Sequence, residues 1–211
     1  MRLKAIILIL FCVCVSAFIE KGYAQAKEKF YFDAFRNDPA LYQELEKIVS
    51  AGLKKAFGEP VELSTPSAFF QRPLPIFVTL RNARGEVRAC MGSLYPSEAS
   101  LRAEIFHKIE LALFKDPRHR AVLRDEFNGM ELYISEVGRP IPIRSVSQLS
   151  PARDGAYLRQ GSREAVLLPG EAKTQRYMLA LLKAKAGVIA GEPFQLYRLQ
   201  SRSVLVKLRD F

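Results

Sequence analysis

IFVTLRNARGEVRACMG, residues 76–92, reads as a β-hairpin on which the rest of the chain is organised. Ile76 to Leu80 is an unbroken β-branched and aromatic run, as expected of a strand buried on both faces. Asn82-Ala83-Arg84-Gly85 is a turn cluster, with Gly85 free to take positive φ, and Glu86 to Met91 returns as the second strand. Alternation along a strand predicts that Arg88 and Cys90 point one way and Ala89 and Met91 the other. Gly92 ends the strand and lets another backbone approach closely.

The chain has 211 residues, 49% of them hydrophobic and 26% charged, the composition of one globular domain or of one domain with two lobes. A formal charge of +10 favours anionic partners, but the basic residues form no run of five, which also fits a soluble basic surface. Met1-Arg2-Leu3-Lys4, an apolar stretch from Ala5 to Phe18 and Ala24-Gln25-Ala26 have the three parts of a secretory signal peptide. The expectation is cleavage after Ala26, a single domain over 27–211, and an exported (periplasmic or secreted) protein with no stable membrane span. An uncleaved N-terminal anchor is the alternative. Cleavage removes Cys12 and Cys14, leaves Cys90 as the one cysteine, and lowers the charge to +8. Export also argues against a nucleic-acid partner.

Further along, Asp38-Pro39 starts a helix whose apolar face is Leu41, Leu45, Ile48, Val49, Leu53 and Ala56. Leu101, Ile105, Ile109 and Leu113 mark a second helix, capped by Ser97 or Ser100 and stopped by Asp116-Pro117. Met130, Leu132 and Ile134 alternate as a half-buried strand, and Arg139 to Ile143 is extended. Ala156–Arg159 and Glu164–Leu168 flank Gly161 as a second hairpin. Glu171 to Ala186 reads as a helix closed by Gly187, and two final strands cover Phe194–Leu199 and Ser203–Leu208. The fold class is α+β, an antiparallel or mixed sheet with helices packed on it. There is no glycine-rich phosphate loop and no cofactor motif.

Val87-Arg88-Ala89-Cys90-Met91-Gly92 resembles the Leu-Arg-Gly-Cys-Ile-Gly motif of the AMMECR-type domain family (AmmeMemoRadiSam system protein A). Asp116-Pro117-Arg118, Pro140-Ile141-Pro142-Ile143, Arg153-Asp154-Gly155, Val166-Leu167-Leu168-Pro169 and Lys185-Ala186-Gly187 continue the match in order. The resemblance implies a large and a small lobe with a groove between them, and no established reaction. It also implies an accessory role, because relatives are often encoded with a Memo-like protein and a radical-SAM enzyme. The chain departs from the pattern in Ala89, in having no tryptophan, and in its leader.

The candidate site lies around Arg88, Cys90, Gly92, Asp116 and Arg118. Cys90 is either a thiolate nucleophile, with the loop residue His119 as base, or a small buried hydrophobe. Arg88 either binds a carboxylate or phosphate through its planar fork or forms an ion pair with Asp116 or a neighbour. Asp116 and Arg118 either line the groove or tie down a turn. His107, His119 and Cys90 are too widely spaced to supply a metal set. The leading expectation is an accessory module that binds a protein partner (Memo-like or radical-SAM-associated) or a small anionic ligand. A thiol enzyme and a surface for acidic lipid or polymer are the rivals.

Overall fold

The computed structural model describes residues 29–127 and 129–208; the leader read at residues 1–26 lies outside the described residues. Asp38 opens the first helix, α1 (Pro39–Ala56). Its carboxylate accepts the Leu41 N–H at 3.0 Å, and Pro39 sits where a missing N–H costs nothing. Ser100 caps α2 (Leu101–Phe114) in the same way, through the Ala103 N–H at 3.2 Å. Both helices pack on a four-stranded sheet of order β2-β1-β3-β8, formed by β1 (Ile76–Arg81), β2 (Val87–Gly92), β3 (Glu131–Val137) and β8 (Ser201–Val206). A second sheet has order β4-β7-β5-β6, with β4 (Ile141–Ile143), β5 (Gly155–Gln160), β6 (Arg163–Leu167) and β7 (Gln195–Leu199). Every pairing is antiparallel.

The period of two in β1 builds both faces of the large lobe. Ile76, Val78 and Leu80 enter a core with Leu45, Ile48 and Leu53 of α1 and Ile105 and Ile109 of α2. Phe77 turns the other way and joins Cys90, Val137 and Leu168 in a small cluster. Leu168 follows β6 of the second sheet, so this cluster is the apolar seam between the lobes. The small lobe has its own core, in which Met178 and Leu182 of α3 (Gln175–Ala186) lie on Ala156, Leu158 and Leu196.

The helix expected from Glu171 begins four residues later. The Thr174 hydroxyl accepts the Tyr177 N–H at 3.2 Å and fixes the start, while the Glu171 N–H bonds the Leu168 carbonyl at 3.2 Å and holds the chain in a turn. Gly187 ends α3 in the left-handed region, at φ 63°. No described helix is long and apolar enough to cross a membrane.

Candidate functional site

The hairpin carries a bulge that re-aims Arg88. Thr79 faces Cys90 and Leu80 faces Ala89, but Arg81 then faces Val87, so β2 has one residue more than β1 at this point. Val87 thereby takes the face of Cys90 and packs with it in the seam. Arg88, the extra residue, leaves the alternation and reaches the turn Arg124–Phe127. Its Nε and Nη2 donate to the two Glu126 carboxylate oxygens at 2.8 and 3.0 Å, and Nη1 and Nη2 donate to the Arg120 and Ala121 carbonyls at 3.1 Å. The Arg88 hydrogen bonds hold the Glu126 carboxyl down at about 2. The expectation that Arg88 and Cys90 look into one cleft is therefore corrected: the bulge separates them. Of the two expectations for Arg88, the structural ion pair is the one seen, with Glu126 rather than Asp116 as the partner.

Cys90 is buried, at 3% exposure. Its sulfur accepts a hydrogen bond from Thr79 Oγ1 at 3.3 Å and has Glu171 Oε1 at 4.0 Å. Burial first, and the Glu171 charge second, push the thiol up to about 11. Burial likewise raises Glu171 above the usual carboxylate range. His119 is exposed in the turn after α2, its N–H on the Asp116 carbonyl at 3.2 Å.

Asp116 and Arg118 close the outer edge of β2. The Asp116 carboxylate accepts the Cys90 N–H at 2.9 Å, and Arg118 Nη2 donates to the Cys90 carbonyl at 3.0 Å. The two side chains also meet directly, through Arg118 Nε and Nη2 at 2.9 and 2.7 Å. Cys90 thus spends its backbone groups outward and makes a close, non-hydrogen-bonded pair with Thr79, which brings the sulfur to the hydroxyl. Burial works to raise Asp116, but the hydrogen bonds from Arg118 and from the Cys90 N–H outweigh it and leave the carboxyl at about 2. Asp116 also keeps Arg118 above its ordinary value.

Gly92 is needed for close approach. A Cβ there would stand 2.3 Å from Phe77 Cγ and 2.5 Å from the Ile76 carbonyl oxygen. Cys90 and Gly92 lie on the wall of an inter-lobe groove of 590 Å³. Its other side is the outward face of the second sheet, with Tyr157, Arg159, Glu164 and Tyr197, and with Lys185 of α3 at the end. Tyr157 and Tyr197 are register partners on β5 and β7, and their ring centroids are 5.1 Å apart. Tyr157 donates to Glu164 Oε2 at 2.8 Å; burial and this carboxylate push its hydroxyl up to about 12.

Tyr95 stands on the rim at 75% exposure, on a loop held from below. Glu104, fully buried on α2, accepts the Ser97 and Glu98 N–H groups at 2.8 and 2.7 Å. Lys108, one turn on and 4% exposed, pairs with Glu104 at 3.1 Å and donates to Ser97 Oγ at 3.0 Å. His107 ties the same loop through Glu98 at 2.9 Å. Among the described residues no cluster of His, Cys, Asp and Glu is arranged to hold a metal ion.

The AMMECR1 family profile matches residues 45–204. The chain belongs to the AMMECR1 family. A Thermotoga maritima protein is 33% identical over 132 residues, spanning 62% of this chain and 75% of that one. A Clostridium acetobutylicum protein is 27% identical over 94 residues, which are 44% of this chain and 20% of the longer relative. The crystal structure of the uncharacterised protein PH0010 from Pyrococcus horikoshii superposes with a TM-score of 0.61 at 20% identity, over 77% of this chain and 88% of that one, and so shares the fold.

Within this AMMECR1 domain the structure brings Cys90, Gly92, Asp116 and Arg118 together and sets Arg88 and His119 outside that group. Tyr95, Glu104, Lys108, Tyr157, Arg159, Glu171, Lys185 and Tyr197 are additions that the sequence reading did not single out. For Glu104 and Lys108 a signal was present, since both fall on the apolar stripe of α2.

Proposed function

We propose that this AMMECR1 domain is an exported binding module, accessory to a partner protein, whose inter-lobe groove receives a small anionic ligand. The observation that carries the reading is the groove itself: Cys90 and Gly92 form one wall, a tyrosine pair forms the other, and Arg159 and Lys185 are the cations on its lining. Charge supports it, because residues 138–200, which make up the small lobe, hold ten basic and four acidic residues. A buried thiol raised to about 11 favours this reading over a thiol enzyme with Cys90 as nucleophile and His119 as base.

Two measurements test it. Iodoacetamide should leave native Cys90 unmodified at pH of about 8 and react with it only once the chain is unfolded. Rapid native alkylation with a midpoint below about 8 would restore the thiol enzyme. In amide NMR, pyrophosphate should shift Gly92, Val166 and Lys185; an unchanged groove at millimolar pyrophosphate would remove the binding reading.

A further inference from the structure

We propose that the ligand of this groove joins a flat aromatic ring to an anionic group, the chemistry of a free nucleoside monophosphate. The inference rests on the binding-groove reading and adds the ring to it.

The tyrosine pair is built in advance. Tyr157 is buried and Tyr197 half-buried beside it, their planes 34° apart, so Tyr197 offers the open ring surface. Both hydroxyls are already engaged, Tyr157 with Glu164 at 2.8 Å and Tyr197 with Gln195 Oε1 at 2.9 Å. These hydrogen bonds fix the para end of each ring. The rings thus form a fixed platform for an incoming π-face.

The opposite rim carries the second aromatic surface. Tyr95 is largely exposed, yet its loop is held by the buried Glu104–Lys108 pair. Burying an ion pair against a surface loop costs desolvation, and Glu104 thereby anchors Ser97 and Glu98, two and three residues beyond Tyr95. Tyr95 is thus a second aromatic side chain on the groove lining, carried by a supported loop.

The charges leave room for the anion. Glu164, the acid on the lining, accepts the Tyr157 hydroxyl at 2.8 Å and is outnumbered on that lining by two cations, Arg159 and Lys185. Lys185 gives one of its donors to the Val166 carbonyl at 2.7 Å, and Arg159 gives Nε to the Gly161 carbonyl at 3.2 Å. Each keeps further N–H groups for a phosphate. A groove of 590 Å³ is within the usual range for small-molecule sites.

Calorimetry at fixed salt compares AMP, ribose 5-phosphate and an eight-residue oligoadenylate. AMP is expected to bind at least about tenfold tighter than ribose 5-phosphate, the increment of one stacked base. Tyr197→Ala and the fold-neutral Tyr95→Ala should each remove most of that increment, Tyr197→Phe should keep it, and Lys185→Gln should weaken both phosphates. If AMP and ribose 5-phosphate bind equally, the ring is overturned while the anion groove stands. If neither binds and pyrophosphate leaves the groove amides unmoved, both readings fall. AMP binding that ignores Tyr95→Ala and Tyr197→Ala overturns the ring. An oligoadenylate far tighter than AMP overturns the small-molecule assignment in favour of single-stranded nucleic acid.

Discussion

Replacing Glu104 with alanine should be the most damaging single change on α2. The carboxylate is fully buried and serves the Ser97 and Glu98 amides as well as the Lys108 ammonium. Its removal leaves Lys108, 4% exposed, with Ser97 Oγ in place of a counter-charge, and leaves two amides without an acceptor. Breaking a buried pair from one side costs about 3–5 kcal/mol, a large part of the roughly 5–15 kcal/mol that holds a domain folded. Glu104→Leu combined with Lys108→Met removes both charges and leaves only the two unmet amides, a cost of about 1–3 kcal/mol each that Glu104→Ala bears as well. The double variant should therefore be more stable than Glu104→Ala alone. Urea denaturation followed by circular dichroism gives the free energies, and amide exchange at Ser97 and Glu98 reports the loop. A single-variant cost under about 1 kcal/mol, or a double variant as unstable as the sum of its singles, would refute the coupling.

Gly92→Ala should destabilise by about 2–3 kcal/mol in the same assay, because the added methyl meets the Phe77 ring and the Ile76 carbonyl and backbone cannot yield cheaply. An unchanged midpoint would show that β2 can move away from β1. Asp116 sets an acid limb. Its carboxyl is held at about 2, below its ordinary 3.8, so it adds about 2 kcal/mol that is fully present above pH of about 4 and is lost as pH falls toward 2. Asp116→Asn should lower stability at neutral pH and flatten stability against pH over that window; an unaltered slope would count against the Arg118 and Cys90 contacts as its cause.

The hairpin and the need for Gly92 were legible because both follow from local chemistry: a β-branched run, a turn cluster, a residue without a side chain. The bulge was not. It depends on the turn, where the Asn82 side chain accepts both the Arg84 and Glu86 N–H groups at 3.0 Å, and nothing in Glu86-Val87-Arg88-Ala89 marks which residue loses its place. Strand alternation alone therefore gives the wrong direction for Arg88. The Glu104–Lys108 pair was readable in principle, since Leu101, Glu104, Ile105, Lys108, Ile109 and Leu113 share one helical face. The tyrosine pair was not, because Tyr157 and Tyr197 meet only through the register of β5 with β7.

The strand that carries the cysteine lies at the margin of its sheet, where a bare ribbon of amides invites a neighbouring molecule to add itself. One carboxylate and one guanidinium, two positions apart in the chain, imitate the acceptor and donor of a missing strand and occupy that seat. Without them the domain would present a sticky border beside its groove, and the hairpin that organises the fold would become a point for chain-to-chain growth.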